Sequence, residues 1–85
     1  MTGTSRLLVV VRTRDPHRQA EALRAALGLT LRGSGVDVIL DEPPATPLAQ
    51  RAVDTLLSFG HRVAAASASE LAAAIREARA VEVWT

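Results

Sequence analysis

The stretch Arg6 to Arg12 reads Arg-Leu-Leu-Val-Val-Val-Arg, a run with no polar residue between its two arginines. A strand with one wet face alternates apolar and polar residues; an unbroken aliphatic run has to be covered on both faces. That single segment demands layers above and below it, and the segments downstream of it can supply them. Asp15-Pro16 is a helix start, with an N-cap and a proline at the first helical position. The spacing predicts a helix from Pro16 to Arg32, with Ala20, Leu23, Leu27 and Leu31 on its buried face. Gly28 inside this helix costs about 1 kcal/mol relative to alanine, so close packing against a strand is the expected reason for it. Gly33 and Gly35 close the helix.

The same unit recurs. Val36 to Leu40 is a second strand, Asp41 to Pro47 a loop with three prolines, and Thr46-Pro47 another cap-then-proline start. The second helix is expected to reach Phe59, burying Leu48, Ala52, Val53, Leu56 and Phe59, with Gly60 closing it. Arg62 to Ala66 is a weaker, alanine-rich strand. Ser67 and Glu70 form a capping box that opens a third helix, with Leu71, Ala74, Ile75 and Ala78 facing inward. Val81 to Trp84 is the last strand, with Trp84 an apolar anchor at the sheet edge or in a subunit interface. The order β-α-β-α-β-α-β with short connections predicts an α/β fold. It is a three-layer sandwich on a four-stranded parallel sheet, one domain over residues 1–85.

A domain of 85 residues buries only about 60–65% of the surface its unfolded chain exposes. Much of its apolar content is alanine, which buries little area, so assembly into an oligomer is an expected source of further stability. The formal net charge of +1 excludes a strong field directed at nucleic acid or at an anionic membrane. All ten basic residues are arginine, scattered rather than clustered along the chain. The start of the chain lacks the layout of a signal peptide, and Leu7 to Val11 is far shorter than the roughly 20 residues a bilayer requires. A cytoplasmic protein is the expectation. The absence of cysteine excludes disulfides and cysteine-ligated metal, and with only two distant histidines neither a metal nor another cofactor is expected.

In an open parallel sheet, ligands bind outside the carboxyl ends of the strands. Four segments lie there, the last of them only Thr85. The first carries Arg14, Asp15, His17 and Arg18 beside a helix N-terminus, where an oxyanion could rest and His17 could act as acid, base or phosphoryl acceptor. It has no glycine to wrap a phosphate closely, so a capped, solvated helix start is the favoured reading of it. The second carries Asp41 and Glu42, able to hold a cation or act as a base, or simply to face water. The third carries Ser67, for which capping is the simpler role, since no Gly-x-Ser-x-Gly turn surrounds it. The candidate ligand-binding residues are therefore Arg14, Asp15, His17, Asp41 and Ser67, with no catalytic pair among them. His61, after a helix-ending glycine, reads as structural or solvated.

The segment Ala20 to Leu40, with its Ala-Leu-x-x-Ala-Leu helix, glycine and second strand, resembles the DsrE/DsrF/DsrH-like family, as does the closing Arg79-Ala-Val-Glu-Val-Trp84. The resemblance implies a small cytoplasmic α/β subunit, usually oligomeric, in a group several of whose members relay sulfur as a cysteine persulfide. Where those carriers hold their cysteine, this chain has Ala64-Ala65-Ala66-Ser67. A serine hydroxyl cannot replace a thiolate in persulfide chemistry. The expected function is a non-catalytic DsrE-like subunit with a binding or scaffold role, partnered by itself or by a related small subunit. The alternative is a small anionic-ligand-binding domain using the first loop. An enzyme using His17 or Asp41 is the weakest reading.

Overall fold

A computed structural model describes residues 6–65 and 68–85. Four strands and three helices alternate along the chain: β1 (Leu7–Val11), α1 (Pro16–Thr30), β2 (Val36–Leu40), α2 (Pro47–Ser58), β3 (Arg62–Ala64), α3 (Ala68–Glu77) and β4 (Ala80–Trp84). All pairings are parallel and the sheet order is β3-β2-β1-β4. The α/β sandwich expected from the alternation is the fold observed. The first two crossovers advance in one direction and share a face; the third runs back across the sheet on the other face, as one constant hand requires.

This order explains the unbroken apolar run of β1. It is hydrogen-bonded on both sides and covered on both faces, with Leu8, Val9, Val10 and Val11 all buried. Val9 and Val11, with Val36, Val38 and Leu40 of β2, pack under α1 and α2 against Leu23, Ala26, Ala49 and Leu56. Leu8, Val10 and Ile39 face the other way, against Leu71 and Ala74 of α3 and Ala78 just after it. Each of the larger side chains contributes roughly 1.5–3 kcal/mol by leaving water. Short alanines at Ala22, Ala26, Ala49 and Ala52 let α1, α2 and the sheet come together closely.

The helix starts are as the sequence reads. Asp15 Oδ1 accepts the His17 amide at 2.9 Å and Thr46 Oγ1 accepts the Ala49 amide at 3.1 Å, each before a proline. At the end of α2, Gly60 takes φ +86° while its amide donates to Leu57 and the His61 amide donates to Leu56. This is the doubly bonded left-handed helix end that favours glycine. The His61 Nδ1 then accepts the amide of Val36 at 3.1 Å, tying the α2–β3 turn to β2. His61 is thus a half-buried structural residue.

Several expectations need correction. The buried face of α1 is Gln19, Ala20, Ala22, Leu23 and Ala26; the helix ends at Thr30 and Leu31 is 88% exposed. On α2 the inward residues are Ala49, Ala52, Val53 and Leu56, leaving Leu48 and Phe59 at 53% and 70% exposure. Ile75 of α3 is also exposed. In each case a core stripe of about 100° is rotated from, or shorter than, the full apolar periodicity, because one layer of sheet cannot cover both flanks of a helix. β3 stops at Ala64, and β4 starts one residue early, at Ala80. Ala66 and Ser67 lie outside the described residues, and the expected capping box falls there.

Gly28 does not pack against a strand. It is exposed, and a Cβ placed on it would meet nothing within 4 Å. Gly28→Ala is therefore expected to stabilise the protein by about 0.5–1 kcal/mol, through helix propensity and a less flexible unfolded chain. Urea titration of the variant checks this; a loss of stability would show a contact that the fold does not contain.

Candidate functional site

The sheet order places the switch point of the fold. From β1 the chain moves outward to β2 and β3, then returns to β4 on the other side of β1. The connections leave β1 and β2 toward the α1–α2 face and β3 toward the α3 face, so the switch point lies between β2 and β3, at whose carboxyl ends Asp41, Glu42, Val63 and Ala64 border a concavity, the place where such sheets take ligands. At the neighbouring carboxyl ends of β1 and β4 the chain closes on itself. The amides of Arg12 and Thr13 both donate to the Trp84 carbonyl, at 2.8 and 3.1 Å. Arg18 Nε donates to the Thr85 carbonyl at 3.0 Å, and its guanidinium lies 5.2 Å from the centre of the Trp84 ring. The Trp84 Nε1 donates to Glu82 at 2.7 Å, while its ring packs against the core. Buried Thr13 accepts the Asp15 amide at 3.1 Å and so shapes the turn into α1.

Arg14, Asp15 and His17 share this loop, and all three are exposed. Asp15 is spent as the N-cap of α1: its carboxylate holds the place where an incoming anion would use the helix end. Neither the Arg14 guanidinium nor the His17 ring has a hydrogen-bond partner among the described residues. Asp41 stands at the end of β2 and is paired with Arg12, Asp41 Oδ2 to Nε 3.0 Å. His17 lines a shallow concavity of about 150 Å³ with Pro16, Ala20, Thr46 and Leu48. Asp41 lines a different one of about 300 Å³ with Glu42, Pro43 and Val63. The structure does not bring the two into one pocket, and Ser67 lies outside the described residues. No group of three metal-ligating side chains occurs among the described residues. None of their helices is long and apolar enough to cross a membrane.

Two polar devices escaped the sequence reading. Gln19 is 2% exposed on the inner face of α1. Its Nε2 donates to the carbonyls of Glu42 and Pro43, at 3.1 and 3.0 Å, and its Oε1 accepts the Ala45 amide at 2.9 Å. One side chain thus satisfies three backbone groups of the proline-rich loop that follows β2. The signal was present: Gln19 precedes Leu23 and Ala26 by four and seven residues, so it shares their buried face.

The second device is Asp37, directly opposite Arg62 in the sheet register. It accepts from Arg6, Nη2 to Oδ1 2.7 Å and Nε to Oδ2 3.0 Å, and from Arg62, Nε to Oδ1 2.7 Å and Nη2 to Oδ2 2.8 Å. Burial alone would push this carboxyl up; the hydrogen bonds from Arg6 and Arg62, with their charges behind them, outweigh burial and leave it below its ordinary value. The bond to Asp37 likewise raises Arg62. A carboxylate saturated by two guanidinium groups is a clasp across three strands, with no lone pair left for chemistry. Gly35 belongs to the clasp. A Cβ there would come within 2.8 Å of the Arg6 guanidinium carbon, so glycine leaves room for the arginine to pass.

Both β3 and β4 are edge strands, and β4 is the longer of the two. It is paired with β1 alone, and four of its five residues are exposed. A helix is about 10 Å wide and strands lie about 4.8 Å apart, so one helix covers about two strands. α3 covers β1 and β2, leaving Val81 and Val83 at 41% and 54% exposure. Leu71, Ala74 and Ala78 point at the sheet, and Ala73 and Glu77 border the groove beside Arg62. Ile75, about 100° round the helix from Ala74 and away from Ala73, therefore lies on the β4 flank. At the starting ends of β1 and β4, Leu8, Leu29, Arg32, Arg79, Val81 and Glu82 border a cavity of about 380 Å³.

Fold and surface together define a small parallel α/β sandwich with an exposed edge strand. No family model matches the chain, and comparison with curated proteins and with solved structures yields no match either.

Proposed function

We propose that this chain is a non-catalytic binding or scaffold subunit of the DsrE-like kind, working in the cytoplasm inside an oligomer with itself or a related small subunit. One observation supports this most: β4 is an edge strand of five residues with no proline, exposed on both faces and carrying Val81 and Val83. Edge strands of stable monomers are short, charged, bulged or covered, because an open edge templates pairing with another chain. The link to sulfur relay rests on the resemblance, and these residues would serve it as a scaffold, since they include no thiol. The anionic-ligand alternative has less support, because the Asp15 carboxylate already sits at the helix end and Asp41 is neutralised by Arg12.

Light scattering coupled to size exclusion tests the reading. The expected mass at micromolar concentration is a multiple of the 9.0 kDa chain. A strict monomer there would overturn it.

A further inference from the structure

We infer that the partner on β4 is a second copy of this chain, added antiparallel about a twofold axis through Val81, so that two four-stranded sheets become one of eight. The inference rests on the oligomeric reading above and names its interface.

The backbone sets the possible registers. The Trp84 carbonyl accepts the Arg12 amide, so Trp84 turns its peptide groups to β1. Along a strand the direction alternates, so Glu82 and Ala80 face β1 as well, whereas Val81 and Val83 direct their N–H and C=O outward. A twofold at Val81 lets the two valines exchange both hydrogen bonds. It also keeps like faces together: both α3 helices lie on one side, both α1–α2 pairs on the other. On the α3 side, Val81 meets Val81 of the second copy, Val83 stands opposite Arg79 of the other chain, and Ile75 of each chain lies beside the pair. The apolar surface that one helix cannot cover is then shared by two.

Charge selects this register over its neighbour. Arg32, Arg79 and Glu82 border the same cavity, yet neither arginine is ion-paired among the described residues. With the axis at Val81, Glu82 of the second copy stands opposite Ala80, one position from Arg79. It enters the cavity that holds both arginines, and the symmetric contact forms on the other side. With the axis at Glu82, the two Glu82 carboxylates would face each other, which is destabilising for directly opposed like charges. The strand's basic start and acidic middle are self-complementary only in the antiparallel sense.

The absence of cysteine makes the test clean. Single variants Val81→Cys, Val83→Cys and Leu57→Cys are treated with a short bifunctional thiol reagent. Opposed β-carbons in a pair lie about 4.5–5.5 Å apart, whereas the two Val83 positions in this register are roughly 13 Å apart. Covalent dimer is expected from Val81→Cys alone. In parallel, Glu82→Arg should weaken association about tenfold, and adding Arg79→Glu should restore it, as expected for two symmetric exposed ion pairs. Crosslinking through Val83→Cys instead, or an assembled wild type whose Val81→Cys does not crosslink, would overturn this interface and leave the oligomeric reading standing. Unweakened association of Glu82→Arg would do the same. A monomeric wild type would overturn both.

Discussion

Gln19→Glu should lower the stability of the protein by about 3 kcal/mol, the largest effect expected of any single isosteric change here. The amide nitrogen of Gln19 donates to two carbonyls, of Glu42 and Pro43, in a site that is 2% exposed. The substitution puts a carboxylate oxygen where that nitrogen stood. Two donated bonds are lost, two carbonyl oxygens face a negative charge, and the charge itself is held out of water. Only the bond from the Ala45 amide survives. Gln19→Leu removes all three bonds without adding charge. Its cost should be smaller, about 2 kcal/mol, because Glu42, Pro43 and Ala45 are exposed and can take up water. The two variants should also differ in pH dependence. The deficit of Gln19→Glu shrinks in acid, where the carboxyl gains a proton it can donate, while that of Gln19→Leu does not. Urea denaturation at two pH values measures both. A loss under about 1 kcal/mol for Gln19→Glu would mean that the loop satisfies its own backbone.

The second large effect is expected at the clasp. Asp37→Asn should cost about 2 kcal/mol, since it leaves the half-buried Arg6 guanidinium without a counter-charge. Arg6 and Asp37 are 29% and 17% exposed in their side chains, against 62% for Arg62, so Arg6→Met should cost more than Arg62→Met. The pH dependence follows from the direction of the shift. The folded-state carboxyl lies below 3.8, its unfolded value, so the unfolded chain takes up the proton first. The contribution of Asp37 is complete above that unfolded value and is lost as pH falls through the lower folded one. Wild type and Asp37→Asn should therefore converge in stability below pH 4 and stay separated by a constant amount above it. A gap that persisted unchanged into that acid range would assign the loss to shape rather than to charge.

Much of the fold was legible because it is written in local periodicity. The runs at Leu7–Val11 and Val36–Leu40 are aliphatic enough to require burial, and Asp15-Pro16 and Thr46-Pro47 mark helix starts that the structure places as expected. Local rules fail where the question is which flank of an amphipathic helix wins. Leu31, Leu48 and Phe59 fit a helical stripe as well as Ala22, Ala26 and Ala49 do, yet the alanines are inside. Close approach of α1, α2 and the sheet favours the small side chains, and that cost is set by neighbours distant in sequence. The site residues were legible as a loop, Arg14 to His17, but their bonding was not. Whether Asp15 caps a helix or leaves room for an anion depends on a turn held by Thr13 and by the Trp84 carbonyl, which lies far along the chain.

By itself, then, the sequence determined the alternation of strands and helices, the need to cover β1 on both faces, and the absence of any thiol chemistry. These are properties of residue type and short-range spacing. Tertiary structure alone decided that β4 lies at an edge, that Asp37 meets Arg6, just before β1, and Arg62 of β3, and that Gln19 reaches the loop after β2. Those outcomes depend on strand order, on the hand of three crossovers, and on how few strands one helix can cover. No window of sequence contains them.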